Sequence, residues 1–159
     1  MATINELLIN NQAITATGLA SLTDGSAYGL AAVDNTVNQD LDAGVILKIK
    51  TGASGVVATG YVSVFVAGSS DGGTTWPDVY TGSAGALTLV SPTNLAFLGN
   101  INAVANVTSY TSRLMSVALA LGYLPGKWGI IVVNHTSGTF DTTGSNFSCV
   151  YERVRGTST

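Results

Sequence analysis

His135 and Cys149 are the one imidazole and the one thiol in 159 residues, so they bound the chemistry before any fold is considered. A structural zinc site needs four Cys or His ligands and a catalytic one usually three from the protein; two residues supply neither. A disulfide within the chain is excluded as well. A Ser or Cys nucleophile needs a neighbouring base, and His135 is the only imidazole that could serve. It sits in Asn134-His135-Thr136-Ser137-Gly138, a polar turn after an apolar run, where a structural or solvated histidine is the ordinary outcome. Paired carboxylates for glycoside hydrolysis would have to come from Asp71, Asp78, Asp141 and Glu152, and no spacing rule selects two of them. Asp141-Thr142-Thr143-Gly144 brings too few carboxylates for a calcium loop. No catalytic, metal or cofactor residue is assigned, and the chain reads as a non-enzyme.

The most specific local pattern is Ser69-Ser70-Asp71-Gly72-Gly73-Thr74-Thr75-Trp76. Read as S-x-D-x-G-x-T-W, it resembles the Asp-box of sialidases and other β-proteins. Its chemistry is that of a turn: Asp71 accepts backbone N–H groups, Gly72 and Gly73 take positive φ, and Trp76 buries its ring. Ser69, Asp71, Gly73, Thr75 and Trp76 are therefore assigned to a structural hairpin. In propeller sialidases the box recurs blade after blade beside an arginine cluster and a Tyr/Glu pair. Here there is one box, and the arginines are Arg113, Arg153 and Arg155, so the resemblance implies a turn and no activity.

The elements that must position these residues are strands. Clusters such as Thr51–Gly55, Gly68–Gly73, Pro125-Gly126 and Asn134–Gly138 mostly recur at about 8 to 12 residues, the spacing of an all-β sandwich or barrel. Val45, Leu47 and Ile49 share one face and Lys48 and Lys50 the other; Val62, Val64 and Val66 alternate with Tyr61, Ser63 and Phe65. A hairpin across Gly52–Gly55 is expected to join these two strands. Arg113–Leu121 alternates large and small residues and reads as a strand, although Leu, Met and Ala also favour helix. Phe147, Cys149 and Tyr151 fall together on one face of Phe147–Val154. The fold class expected is an all-β antiparallel β-sandwich of roughly eight or nine strands, compatible with a jelly-roll-like connection, with an extended N-terminal segment.

Charge is scarce: 9% of residues, against about 25% in ordinary soluble domains. Six Lys/Arg against nine Asp/Glu form no basic field, which excludes nucleic acid as a direct partner. Residues 1–42 carry five acids and no base, while residues 43–159 hold all six Lys/Arg and four acids. The chain is therefore divided into an N-terminal arm or edge segment, 1–42, and a sandwich domain, 43–159, with the acidic segment expected to pack on the basic body of a neighbour. The N-terminus lacks a cationic signal region and no apolar run approaches the roughly 20 residues of a membrane helix, so an untargeted chain off the membrane is expected. Asn106, Asn134 and Asn146 begin sequons, about as many as composition alone produces. Tyr28, Tyr61, Trp76, Tyr80, Tyr110, Tyr123, Trp128 and Tyr151 supply a sugar platform or, more commonly, core packing.

Tyr61–Trp76, together with Leu124-Pro125-Gly126-Lys127-Trp128-Gly129-Ile130-Ile131-Val132-Val133-Asn134, resembles small β-sandwich virion proteins of tailed bacteriophages, a likeness spanning residues 43–155. The resemblance implies a structural role on the particle exterior after synthesis in the host cytoplasm. Capsid decoration on the major capsid protein is the first expectation; a tail, neck or fibre component, or a carbohydrate-binding module for host attachment, is the alternative. A mean hydropathy of +0.38 with so little charge adds the expectation of a homo-oligomer, a trimer first.

Overall fold

The structure, a computed structural model, describes residues 4–158. Eleven strands are present among these residues: β1 (Ile4–Ile14), β2 (Ala27–Gly29), β3 (Val33–Asp34), β4 (Asp42–Lys50), β5 (Tyr61–Ser69), β6 (Gly85–Leu87), β7 (Ala96–Asn102), β8 (Ser109–Thr111), β9 (Met115–Ser116), β10 (Lys127–His135) and β11 (Ser148–Ser158). One short helix, α1 (Val117–Leu121), follows β9. The first sheet runs β1-β11-β4-β8, with β9 also on β4; the second runs β6-β2-β10-β5-β7, with β3 also on β10. Every pair is antiparallel.

The pairing is nested. β1 lies beside β11, β2 and β3 beside β10, β4 beside β8 and β9, and β5 beside β7. First meets last, and each later strand meets the one before the previous partner, which describes a long hairpin rolled into two sheets. With β6 as an addition at one edge, this is the jelly-roll form of the sandwich.

Alternation decides which side chains fill the space between the sheets. Ala43, Val45, Leu47 and Ile49 of β4 face Val62, Val64 and Val66 of β5 and Trp128, Ile130 and Val132 of β10, all buried. Each valine, leucine or isoleucine so buried contributes about 1.5–3 kcal/mol. Tyr151 of β11 meets the Trp128 ring edge-on, with centroids 5.2 Å apart.

The second sheet is buried on its outer face too. Ala67, Ile131 and Val133 lie under Tyr80 and Leu95 from segment 70–95, with Trp76 and Leu87 packed around them. Gly29 and Gly129 leave the slot for the Tyr80 ring, because a Cβ at either would collide with it. The Tyr80 hydroxyl donates to the Leu30 carbonyl beneath.

Three expectations are corrected. Gly52–Gly55 does not turn a hairpin: β4 belongs to the first sheet and β5 to the second. The connection crosses between them, bonding to the turn after β10 through Gly52 N–H to Thr139 O (2.9 Å) and Val57 N–H to Thr136 O (3.1 Å). The strand expected over Arg113–Leu121 shrinks to Met115–Ser116 and becomes helix from Val117. Ser116 caps that helix by accepting the Leu119 N–H, and Gly122 ends it at φ 84°. The boundary at residue 42 does not divide the fold, since it falls inside β4. The described part of 1–42 is sandwich: β1 is an edge strand, and Leu19, Leu22 and Leu30 are in the core.

Candidate functional surfaces

Ser69 ends β5, and the turn that follows is built as its residue types require. Asp71 Oδ1 accepts the Ser69 hydroxyl (2.7 Å), Thr74 N–H (3.0 Å) and Thr75 N–H (2.9 Å). Ser69 Oγ in turn accepts Gly73 N–H at 2.9 Å. Gly72 and Gly73 adopt φ of 77° and 92°. Trp76 Nε1–H donates to Gly73 O at 3.0 Å, and its ring meets Tyr80 edge-on. Hydrogen bonds from Thr75, through side chain and backbone, and from Ser69 hold the Asp71 carboxyl well below the usual carboxylate range. An exposed carboxylate so engaged with its own turn does not serve as a general acid at neutral pH. The five motif residues are thus brought together, but not around a hairpin, because β6 beyond the turn pairs with β2 and not with β5. The turn launches segment 70–95 over the second sheet.

The other chemistry-bearing residues are dispersed. His135 closes β10 half-buried, its ring 4.9 Å from that of Tyr61. Cys149 lies inside the core from the first sheet, where desolvation pushes its thiol up to about 12. Asp78 is pushed up by burial, but bonds from Thr93, Val90 and Val79 together outweigh this and hold it below its ordinary value. Asp141 accepts Thr143 N–H (2.8 Å) and Asn146 Nδ2–H (2.8 Å), which with Lys50 Nζ hold it at about 2. Both are ordinary loop carboxylates. Among the described residues, no group of three or more His, Cys, Asp or Glu is placed to hold a metal ion.

Aromatic residues do not converge either. Trp128 and Tyr80 are buried, and Tyr110 accepts the Val104 and Ala105 N–H groups. Exposed Tyr61 starts β5, whereas exposed Tyr123 lies by Gly68 at the other end of that strand. Asn134 is fully buried: Nδ2 donates to Leu22 O (2.9 Å) and Gly138 O (2.8 Å), and Oδ1 accepts from Thr136. It is a structural residue that ties 22 to 138, unsuited to carry a glycan.

The charge division between the N-terminal segment and the body is consumed within one chain. Asp40, buried, meets Arg155 Nε at 2.9 Å and Arg153 Nε at 3.6 Å; Asp34 meets Lys127 Nζ at 3.7 Å. Lys50 pairs with Asp141 at 3.3 Å. The expected meeting of acidic segment and basic body therefore happens inside the molecule. Arg153 and Arg155, two apart on one strand and so on one face, were the available sign that a single buried acid sits opposite them. Lys48 and Arg113 remain without an acid within 4 Å among the described residues.

The two sheets differ in what covers them. The outer face of the second is roofed by segment 70–95, leaving a groove of about 490 Å³ lined by Phe65, Leu87, Leu89, Val133 and His135. On the outer face of the first, Ile46 and Val150 are half-buried and Leu8 and Leu114 are more than half exposed. A shallow depression of about 220 Å³ lies there between Asn10, Gly44, Leu114 and Glu152. No protein-family model, curated protein or solved structure matches the chain.

Proposed function

We propose that this protein is a non-enzymatic structural subunit of a tailed-bacteriophage virion, a decoration or cement protein that binds the major capsid lattice from outside as a homo-oligomer. The observation that carries the homo-oligomeric part of the reading is the uncovered outer face of the first sheet. The second sheet is covered by the chain's own segment 70–95, while on the first Leu114 and Leu8 are exposed and Ile46 and Val150 only half-buried in the single chain. Contiguous apolar surface on one face is characteristic of a surface that meets other protein. The internal pairing of Asp34 and Asp40 with the body's cations supports the same reading, because it leaves few charges to keep copies apart. The scattered positions of His135, Cys149 and the loop carboxylates favour a structural role over a catalytic one.

The test is reconstitution. Undecorated shells assembled from the major capsid protein of the same virion are mixed with purified protein and sedimented. Saturable co-sedimentation and added density on the shell exterior in cryo-electron microscopy are expected. Absence of binding to expanded and unexpanded shells alike would sink the decoration role.

A further inference from the structure

The outer face of the first sheet is polarised along its strands. On β4 the outward residues run Asp42, Gly44, Ile46, Lys48 and Lys50, because Ala43, Val45, Leu47 and Ile49 point into the core. Register places Val154 beside Asp42, Glu152 beside Gly44, Val150 beside Ile46 and Ser148 beside Lys48. The face therefore has acids Asp42 and Glu152 at one end, lysines Lys48 and Lys50 at the other, and Ile46 with Val150 between. Lys48 and Glu152 are four residues apart along the strands, about 13 Å, too far to pair within one chain.

Glu152 stands out among the acids. Asp24, Asp34, Asp40, Asp42, Asp71, Asp78 and Asp141 each accept a hydrogen bond or join an ion pair, whereas Glu152 does neither among the described residues. Its side chain lies over Gly44, which has none, beside Leu114. The unpaired lysine and the unpaired glutamate thus occupy opposite ends of one open face, with Ile46 and Val150 between them.

We infer that this face is an isologous interface with a second copy of the chain, on a twofold axis crossing the Ile46–Val150 pair. A twofold axis in the plane between two facing sheets and perpendicular to their strands reverses strand direction, so each row two residues before the axis meets the row two residues after it. Lys48 of one copy then stands over Gly44 and Glu152 of the other, offset by one strand spacing of about 5 Å, which a lysine side chain spans. The contact occurs twice; Asp42 and Lys50, already held by Ser116 and Ala118 and by Asp141 within each chain, add no further pair. Like charges do not meet, and Ile46 and Val150 of both copies close the centre. The contact joins copies in twos, so a trimer that used it would associate into a hexamer.

This inference rests on the oligomeric part of the proposed function and not on its capsid partner. The experiment is sedimentation velocity on the full chain at micromolar concentration, with Lys48→Glu, Glu152→Lys and the double exchange K48E/E152K. Wild type is expected as an even-numbered species, each single variant as weakened by about tenfold or more, and the double exchange as restored. Restoration also shows that the double exchange folds, and far-ultraviolet circular dichroism of each single variant is expected to match wild type. A monomer or a lone trimer in wild type, unaffected single variants, or a double exchange no better than the singles would overturn the interface. If wild type is monomeric yet binds shells, the interface fails and the decoration role stands; even-numbered assembly without shell binding gives the reverse.

Discussion

Ser116 donates its hydroxyl to Asp42 Oδ2 at 2.6 Å, across 74 residues of sequence. The other oxygen of the same carboxylate accepts the N–H of Ala118 at 2.9 Å, in the first turn of α1. A strand residue of the first sheet thereby holds the start of a helix of only five residues, which is too short to persist alone. Removing Asp42 with Asp42→Ala should lower stability by about 1–2 kcal/mol, and Ser116→Ala by about 1 kcal/mol. Urea unfolding measures both, and because the residues share one network, the double variant should lose less than the sum.

Asp40 neutralises two arginines from one buried position. Asp40→Asn leaves both guanidinium groups half-buried without a counter-charge and should cost about 3 kcal/mol, well above a surface ion pair. Denaturant unfolding of Asp40→Asn beside Asp34→Asn checks this. The second change, at an exposed carboxylate screened by solvent, should cost far less than the first.

The roof over the second sheet depends on a missing side chain. Gly129→Ala places a methyl group against the Tyr80 ring and should destabilise the protein by about 1–3 kcal/mol while loosening segment 70–95. Limited proteolysis should then cut within 70–95, and the near-ultraviolet circular dichroism of Trp76 and Tyr80 should fall while the strand signal persists.

Asp141 titrates at about 2 in the folded chain against an ordinary value of 3.8. A depressed folded value means that the stabilisation is present above pH 3.8 and is lost as pH falls through about 2. The stability difference between wild type and Asp141→Asn should therefore be flat from neutral pH to about 4 and shrink on further acidification. A difference that grew toward acid would contradict the hydrogen bonds from Thr143 and Asn146 as its cause.

Much of the strand content was legible because side-chain alternation repeats every two residues. Val45, Leu47 and Ile49, then Val62, Val64 and Val66, then Phe147, Cys149 and Tyr151 each show the core face without reference to anything distant. Arg113–Leu121 misled for the complementary reason. Its alternation was real, but the Ser116 cap and the Asp42 carboxylate select the helix, and Asp42 lies far away in sequence. Gly52–Gly55 has turn composition whether it closes a hairpin or crosses between sheets. Bonds to Thr136 and Thr139 decide for the crossing.

By itself the sequence determined what acts over a few residues: the inward faces of the strands, the Asp71 turn, and the lack of enough His and Cys for a zinc site. Strand order, the pairing of Asp40 with Arg153 and Arg155, and which sheet face stays open were decided by tertiary structure. The physical reason is range. A turn or a strand face is set by neighbouring backbone and side chains, whereas burial and charge pairing are settled between residues that only the folded chain brings together.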